Sequence, residues 1–146
     1  MNLDELLPRE RTPVHYRDVV ADPRLDREGL RELARSPYPF VRSAVVTCPR
    51  ADAATLAAVP VDDLDRWTRN SVLRDLARHP NADRPLLLTV LGRTRALLED
   101  LDSRPYAAVL ELAARPELTD AEIRALIEMP GASRRVRTAA RRLRAS

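Results

Sequence analysis

The sequence predicts an all-α fold: a short solenoid of about four to five stacked helical-hairpin repeats, with residues 1–146 forming one domain. The first observation is a pattern that recurs four times. A proline is followed three residues on by a helix-capping residue, and seven and ten residues on by apolar ones. The copies are Pro23 (Asp26, Leu30, Leu33), Pro49 (Asp52, Leu56, Val59), Pro80 (Asp83, Leu87, Val90) and Pro116 (Thr119, Ile123, Leu126). The second is composition: three Gly, three Tyr, one Trp and one Phe stand against abundant Ala, Leu, Arg and Glu, a balance that favours helix over strand. The third is the placement of the 12 prolines, whose near-regular spacing punctuates many short helices instead of breaking a few long ones.

Within each copy, Asp26, Asp52, Asp83 or Thr119 stands at a helix N-cap and can accept a bond from an unpaired backbone N–H of the first turn. Thr119 and Glu122 have the spacing of a capping box. The residue before each cap (Leu25, Ala51, Ala82, Leu118) and the residue five later (Leu30, Leu56, Leu87, Ile123) are apolar, the spacing of a hydrophobic staple. Upstream of each proline, Val19–Val20, Val45–Val46, Leu76–Ala77 and Leu112–Ala113 mark the apolar stripe of a second helix, extended one turn earlier by Val41, Val72 and Ala108. Helices are therefore expected over 13–21, 26–35, 39–47, 52–59, 63–78, 83–91, 93–101, 104–114, 119–129 and 133–144. A break is placed near Gly92, and around 92–102 the regular unit is lost. Repeat units begin near 13, 39, 63 and 104, and 133–146 is a partial C-terminal cap.

The stretch LARSPYPFVRSAVVTCPRADAATLAAV (Leu33–Val59) resembles the leucine-rich repeat variant family, through Leu33-Ala34, Pro37, Val41-Arg42, Ala44-Val45, Pro49 and Leu56. Related fragments follow at Leu76–Leu91 and Leu112–Leu126, and Arg134–Arg142 looks like a truncated unit; the motifs are short and shared with HEAT-like repeats. The resemblance implies a right-handed superhelix used as a scaffold or recognition surface, with no chemistry intrinsic to the repeat. The chain departs from the family in having Asp22, Cys48, His79 and Arg115 where Asn often precedes the second proline. It also lacks the cysteine cluster with which some members hold an iron–sulfur centre, since Cys48 stands alone. No cofactor is expected.

One cysteine cannot form an intrachain disulfide, which points to the reducing cytoplasm. The opening MNLDELLPRERT has no long apolar run, so neither a signal peptide nor a membrane segment is expected. Every basic residue is Arg, which codon bias in a GC-rich genome explains. The motifs of phosphate loops, serine hydrolases and zinc proteases are missing, so an enzyme is not expected and no small-molecule substrate is evident.

Cys48 and His79 share a repeat position, yet two residues fall short of a metal site and read as turn lining. His15 reads as half-buried packing. The acidic pairs Asp62-Asp63 and Glu99-Asp100 read as solvated surface, the first lying where a helix should begin. Trp67 reads as core or, alternatively, as an aromatic anchor on a groove, with Tyr38, Phe40 and Tyr106 contributing to the same surface. Residues after Gly131 include Arg134, Arg135, Arg137, Arg141, Arg142 and Arg144 with no acid, in a chain of net charge +3. A solubilising cap explains that tail; contact with nucleic-acid phosphates or an acidic protein is the alternative. The leading expectation is a non-enzymatic protein–protein interaction or scaffold module that binds an unidentified protein through Arg42, Trp67, Arg74 and Asp75. A nucleic-acid binder using Arg134, Arg135, Arg137, Arg141 and Arg142 is the second, and a HEAT-fold hydrolase or glycosylase the third.

Overall fold

The computed structural model describes residues 1–146 and contains ten helices and no strand. No helix is long and apolar enough to cross a membrane. The chain forms two compact units, one of Met1–Leu64 with His79–Asn81 and one of Asp65–Arg78 with Ala82–Ser146.

The first unit contains α1 (Leu3–Leu6), α2 (Pro13–Val20), α3 (Arg27–Ala34), α4 (Pro39–Val46) and α5 (Ala53–Ala57). Helix α4 packs on α2 and α3, and α3 packs on α5. The second contains α6 (Arg66–Arg78), α7 (Arg84–Leu97), α8 (Tyr106–Ala113), α9 (Asp120–Ile127) and α10 (Arg134–Ala145). There α8 packs on α6 and α10, while α7 and α9 pack on each other.

The four capping residues work as their spacing requires. Asp26 accepts from Gly29 N–H at 2.8 Å, Asp52 from Thr55 at 2.8 Å, Asp83 from Leu86 at 3.0 Å and Thr119 from Glu122 at 3.1 Å. All eight staple residues are buried, as are the apolar pairs upstream of each proline. Each proline turn thus joins a capped helix to the apolar stripe of the helix before it.

Three expectations are corrected. Residues 84–97 form a single helix with no break at Gly92. The buried positions Leu86, Leu87, Val90, Thr94 and Leu98 keep helical spacing across it. One exposed glycine costs about 1 kcal/mol, which continuous packing outweighs. Helix α6 begins at Arg66, not at Asp62-Asp63, because Asp65 supplies the cap, accepting from Thr68 N–H at 2.9 Å and from its hydroxyl at 3.0 Å. Helix α5 stops at Ala57, three residues before Pro60, which disfavours helical backbone in the residue preceding it.

A common arrangement closes the proline turns. The last carbonyls of a helix lack intrahelical donors, and a side chain from further along the chain supplies them. Arg50 donates to the carbonyls of Val20 (3.1 Å), Asp22 (2.8 Å) and Leu25 (3.2 Å). Asn81 Nδ2 donates to Pro49 (3.1 Å) and Ala51 (2.9 Å), and His79 Nε2 lies 2.8 Å from Cys48 O. In the second unit Arg115 donates to Ala77 (3.4 Å) and Ala82 (2.8 Å). Arg144 donates there to Ala113 (3.2 Å), Arg115 (3.0 Å) and Leu118 (2.6 Å). The carbonyl two residues after the proline is used in all four turns.

Candidate functional site

Trp67, flagged in the sequence, and the end of the irregular 92–102 stretch meet in the second unit. Capping by Asp65 puts Trp67 in the first turn of α6, and the residue is 74% exposed. The core reading of Trp67 is therefore corrected. The Arg66 guanidinium stacks on the indole, 4.9 Å from the ring centroid, and donates to Asp102 O at 3.1 Å. One turn on, Asn70 Nδ2 donates to Ser103 O at 2.7 Å. The other amide atom, Oδ1, is shielded from solvent and has no partner; reversing the amide would set oxygen against oxygen, so the orientation is fixed.

The opposing loop is rigid for local reasons. Asp100 accepts from Asp102 N–H (2.8 Å), Ser103 N–H (2.7 Å) and the Ser103 hydroxyl (3.0 Å), and these bonds hold its carboxyl below the usual range. Arg104 follows with φ 47°, the left-handed region that a non-glycine residue enters at a cost of about 1–2 kcal/mol. Gly131 N–H donates to Leu98 O at 2.6 Å; a side chain at Gly131 would collide with the backbone oxygens of Leu98 and Asp100. Tyr106, part-buried, donates its hydroxyl to Gly131 O at 3.1 Å. Together these place Asp102, Ser103 and Arg104 opposite Arg66, Trp67 and Asn70, around a cleft of about 240 Å³. Leu101, in the same loop, is 66% exposed.

The remaining named residues divide. On α6, Ser71, Arg74 and Arg78 continue the stripe begun by Trp67 at helical spacing. Arg74 Nε donates to Asp75 at 3.0 Å, and Asp75 is largely buried beside it. Arg42 is corrected as a surface residue: it is 1% exposed, because it falls within the buried arc of Val41, Val45 and Val46 on α4. Its guanidinium holds both oxygens of Asp63 at 2.8 Å and donates to Pro60 O at 2.8 Å. Asp63 thus anchors a cation, and its carboxyl is held below its ordinary range by that bond.

Tyr38 and Phe40 are exposed in the first unit with ring centroids 6.1 Å apart. His15 Nδ1 accepts from Thr12 N–H at 3.0 Å, closing the start of α2. His79 Nδ1 accepts from Asn81 N–H at 3.0 Å, which places the ring proton on Nε2, facing Cys48 O. Both histidines serve the backbone, a role invisible in sequence because it depends on turn geometry. The arginine tail also divides. Arg137 donates to Ile127 O at 2.7 Å and Arg144 closes the Pro116 turn, while Arg134, Arg135, Arg141 and Arg142 are exposed and their guanidinium groups make no bond.

No protein-family model, curated protein or solved structure matches this chain.

Proposed function

We propose that this chain is a non-enzymatic protein-interaction module, a short right-handed α-solenoid of the leucine-rich repeat variant kind, working in the cytoplasm. The repeated turn supports the architecture: four prolines, four caps and four sets of carbonyls closed in the same way. Packing of alternate helices within each unit, α2 on α4 and α8 on both α6 and α10, suits stacked layers.

The exposed indole of Trp67 carries the functional reading. A tryptophan left in water and held by a cation–π contact is an apolar surface the fold does not use. Trp and Arg dominate binding energy at protein interfaces, and loss of one central anchor typically costs 2 kcal/mol or more, roughly 30-fold in affinity. The stripe through Ser71, Arg74 and Arg78 extends the surface along α6.

The test is Trp67→Ala. Its melting temperature should stay within about 2 °C of the parent, because an exposed side chain contributes little to stability. A partner recovered by affinity capture with the parent should bind the variant at least ~30-fold more weakly. Trp67 is the only tryptophan, so its fluorescence should shift to the blue as that partner is added to the parent. Unchanged affinity, or a fluorescence spectrum indifferent to the partner, refutes the assignment.

A further inference from the structure

The second unit carries a separate charged surface on α10. Of six arginines in the last 16 residues, Arg137 and Arg144 are consumed by backbone carbonyls, and Arg144 also binds Asp120 at 2.8 Å. The other four, Arg134, Arg135, Arg141 and Arg142, fall within an arc of about 120° and along roughly 12 Å of the helix axis. All four side chains are exposed and without hydrogen-bond or ion-pair partners. The rest of that arc is Thr138 and Ala145, and α10 contains no acidic residue. Across the groove beside Arg141, exposed Arg124 of α9 adds a further cation, and the one carboxylate lining that groove, Asp120, is paired with Arg144.

Folding needs do not explain this face. Cations near a helix C-terminus complement its dipole, which accounts for Arg142 and Arg144. Arg134 and Arg135 occupy the first two positions of α10, at the positive end of that dipole, where a cation is unfavourable. Their placement breaks a local rule with no compensating bond in the structure, and such breaks concentrate at functional surfaces.

We infer that the α10 face binds the phosphodiester backbone of duplex nucleic acid. Arginine forks match phosphate oxygens, and a row of cations whose arc holds no carboxylate, amide or aromatic side chain reads backbone charge and not base identity. An anionic membrane would call for apolar residues beside the cations. The apolar side of α10 is instead turned inward through Val136 and Ala140, leaving Leu143 as its one exposed large apolar residue. A protein partner would call for apolar or aromatic anchors, which the arc lacks.

The experiment titrates a labelled mixed-sequence DNA duplex with the full chain at several salt concentrations. Four phosphate contacts give a slope of log K against log salt of about −3.6, hence a loss of roughly 100-fold between about 50 and 200 mM salt. Each Arg→Gln change among the four should reduce the slope by about 1, and the quadruple variant should abolish binding with its melting temperature unchanged. Absence of binding at about 50 mM salt overturns the inference, as does a slope untouched in the quadruple variant. Tighter binding to anionic vesicles or to polyglutamate than to the duplex overturns it as well.

Discussion

Arg42 is a cation inside a helical core whose only countercharge is a carboxylate at the surface. Its Nε has no partner, so the guanidinium relies on Asp63 and Pro60 O. Removing one member of such a pair costs more than removing the cation, because the variant retains an uncompensated buried charge. Urea titration should therefore show Asp63→Ala less stable than the parent, and Arg42→Met more stable than Asp63→Ala. Equal stability of the parent and Asp63→Ala would show that the pair does not hold the cation. The charge of Arg42 points to a binding surface only when taken apart from its arc: Val41, Val45 and Val46 flank it at helical spacing, which the sequence displays, but its partner lies 21 residues on in an irregular segment. Trp67 was legible as a residue of interest. Its exposure depended on Asp65 starting the helix three residues later than the acidic pair suggested.

At the scale of elements, the proline turns were legible nearly whole, since caps and staples are local chemistry at fixed spacing. The test is Asp83→Ala, which removes the bond to Leu86 N–H that opens α7. It should cost about 1 kcal/mol, lowering the melting temperature by roughly 3 °C, while Asp83→Asn, still able to cap, should stay close to the parent. A melting temperature unchanged in Asp83→Ala would mean that packing of Leu86, Leu87 and Val90 alone fixes the start of α7. The side chains that close the turns were not recognised, although donor-bearing residues flank the prolines at Arg50, His79, Asn81 and Arg115. Their targets are carbonyls some 25 to 38 residues earlier in the chain, and only the fold brings these together. Gly92 misled for the opposite reason: a weak local preference was read as a boundary, and a continuous apolar stripe overrode it.

Over the whole molecule, the carboxylates are tuned in one direction. Arg84 and the Thr119 N–H hold Glu122 down to about 2, and Arg24 holds Asp22 down to about 2. Asp52, Asp63, Asp65, Asp100 and Glu117 are lowered too, by bonds from Thr55, Arg42, Thr68, Ser103 and Arg115. A carboxylate whose pKa is depressed by folding contributes stability that is present above its unfolded value, near 4, and lost as pH falls through the folded one. Stability should thus hold from neutral pH down to about 4.5 and decline progressively toward pH 2. These groups lie at the surface, partly or fully exposed to solvent, so each contributes little and the decline is gradual. Two further effects steepen its lower end. Asp52 and Asp65 cap helices and Glu122 completes a capping box, so their protonation weakens helix starts as well as ion pairs. Loss of negative charge also leaves 25 arginines mutually repelling. Urea midpoints followed by circular dichroism at successive pH values should fall only below about 4.5, and added salt should lessen the fall by screening the arginines. A midpoint independent of pH down to 2 would show that packing alone holds the helices, with the caps and ion pairs contributing nothing to it.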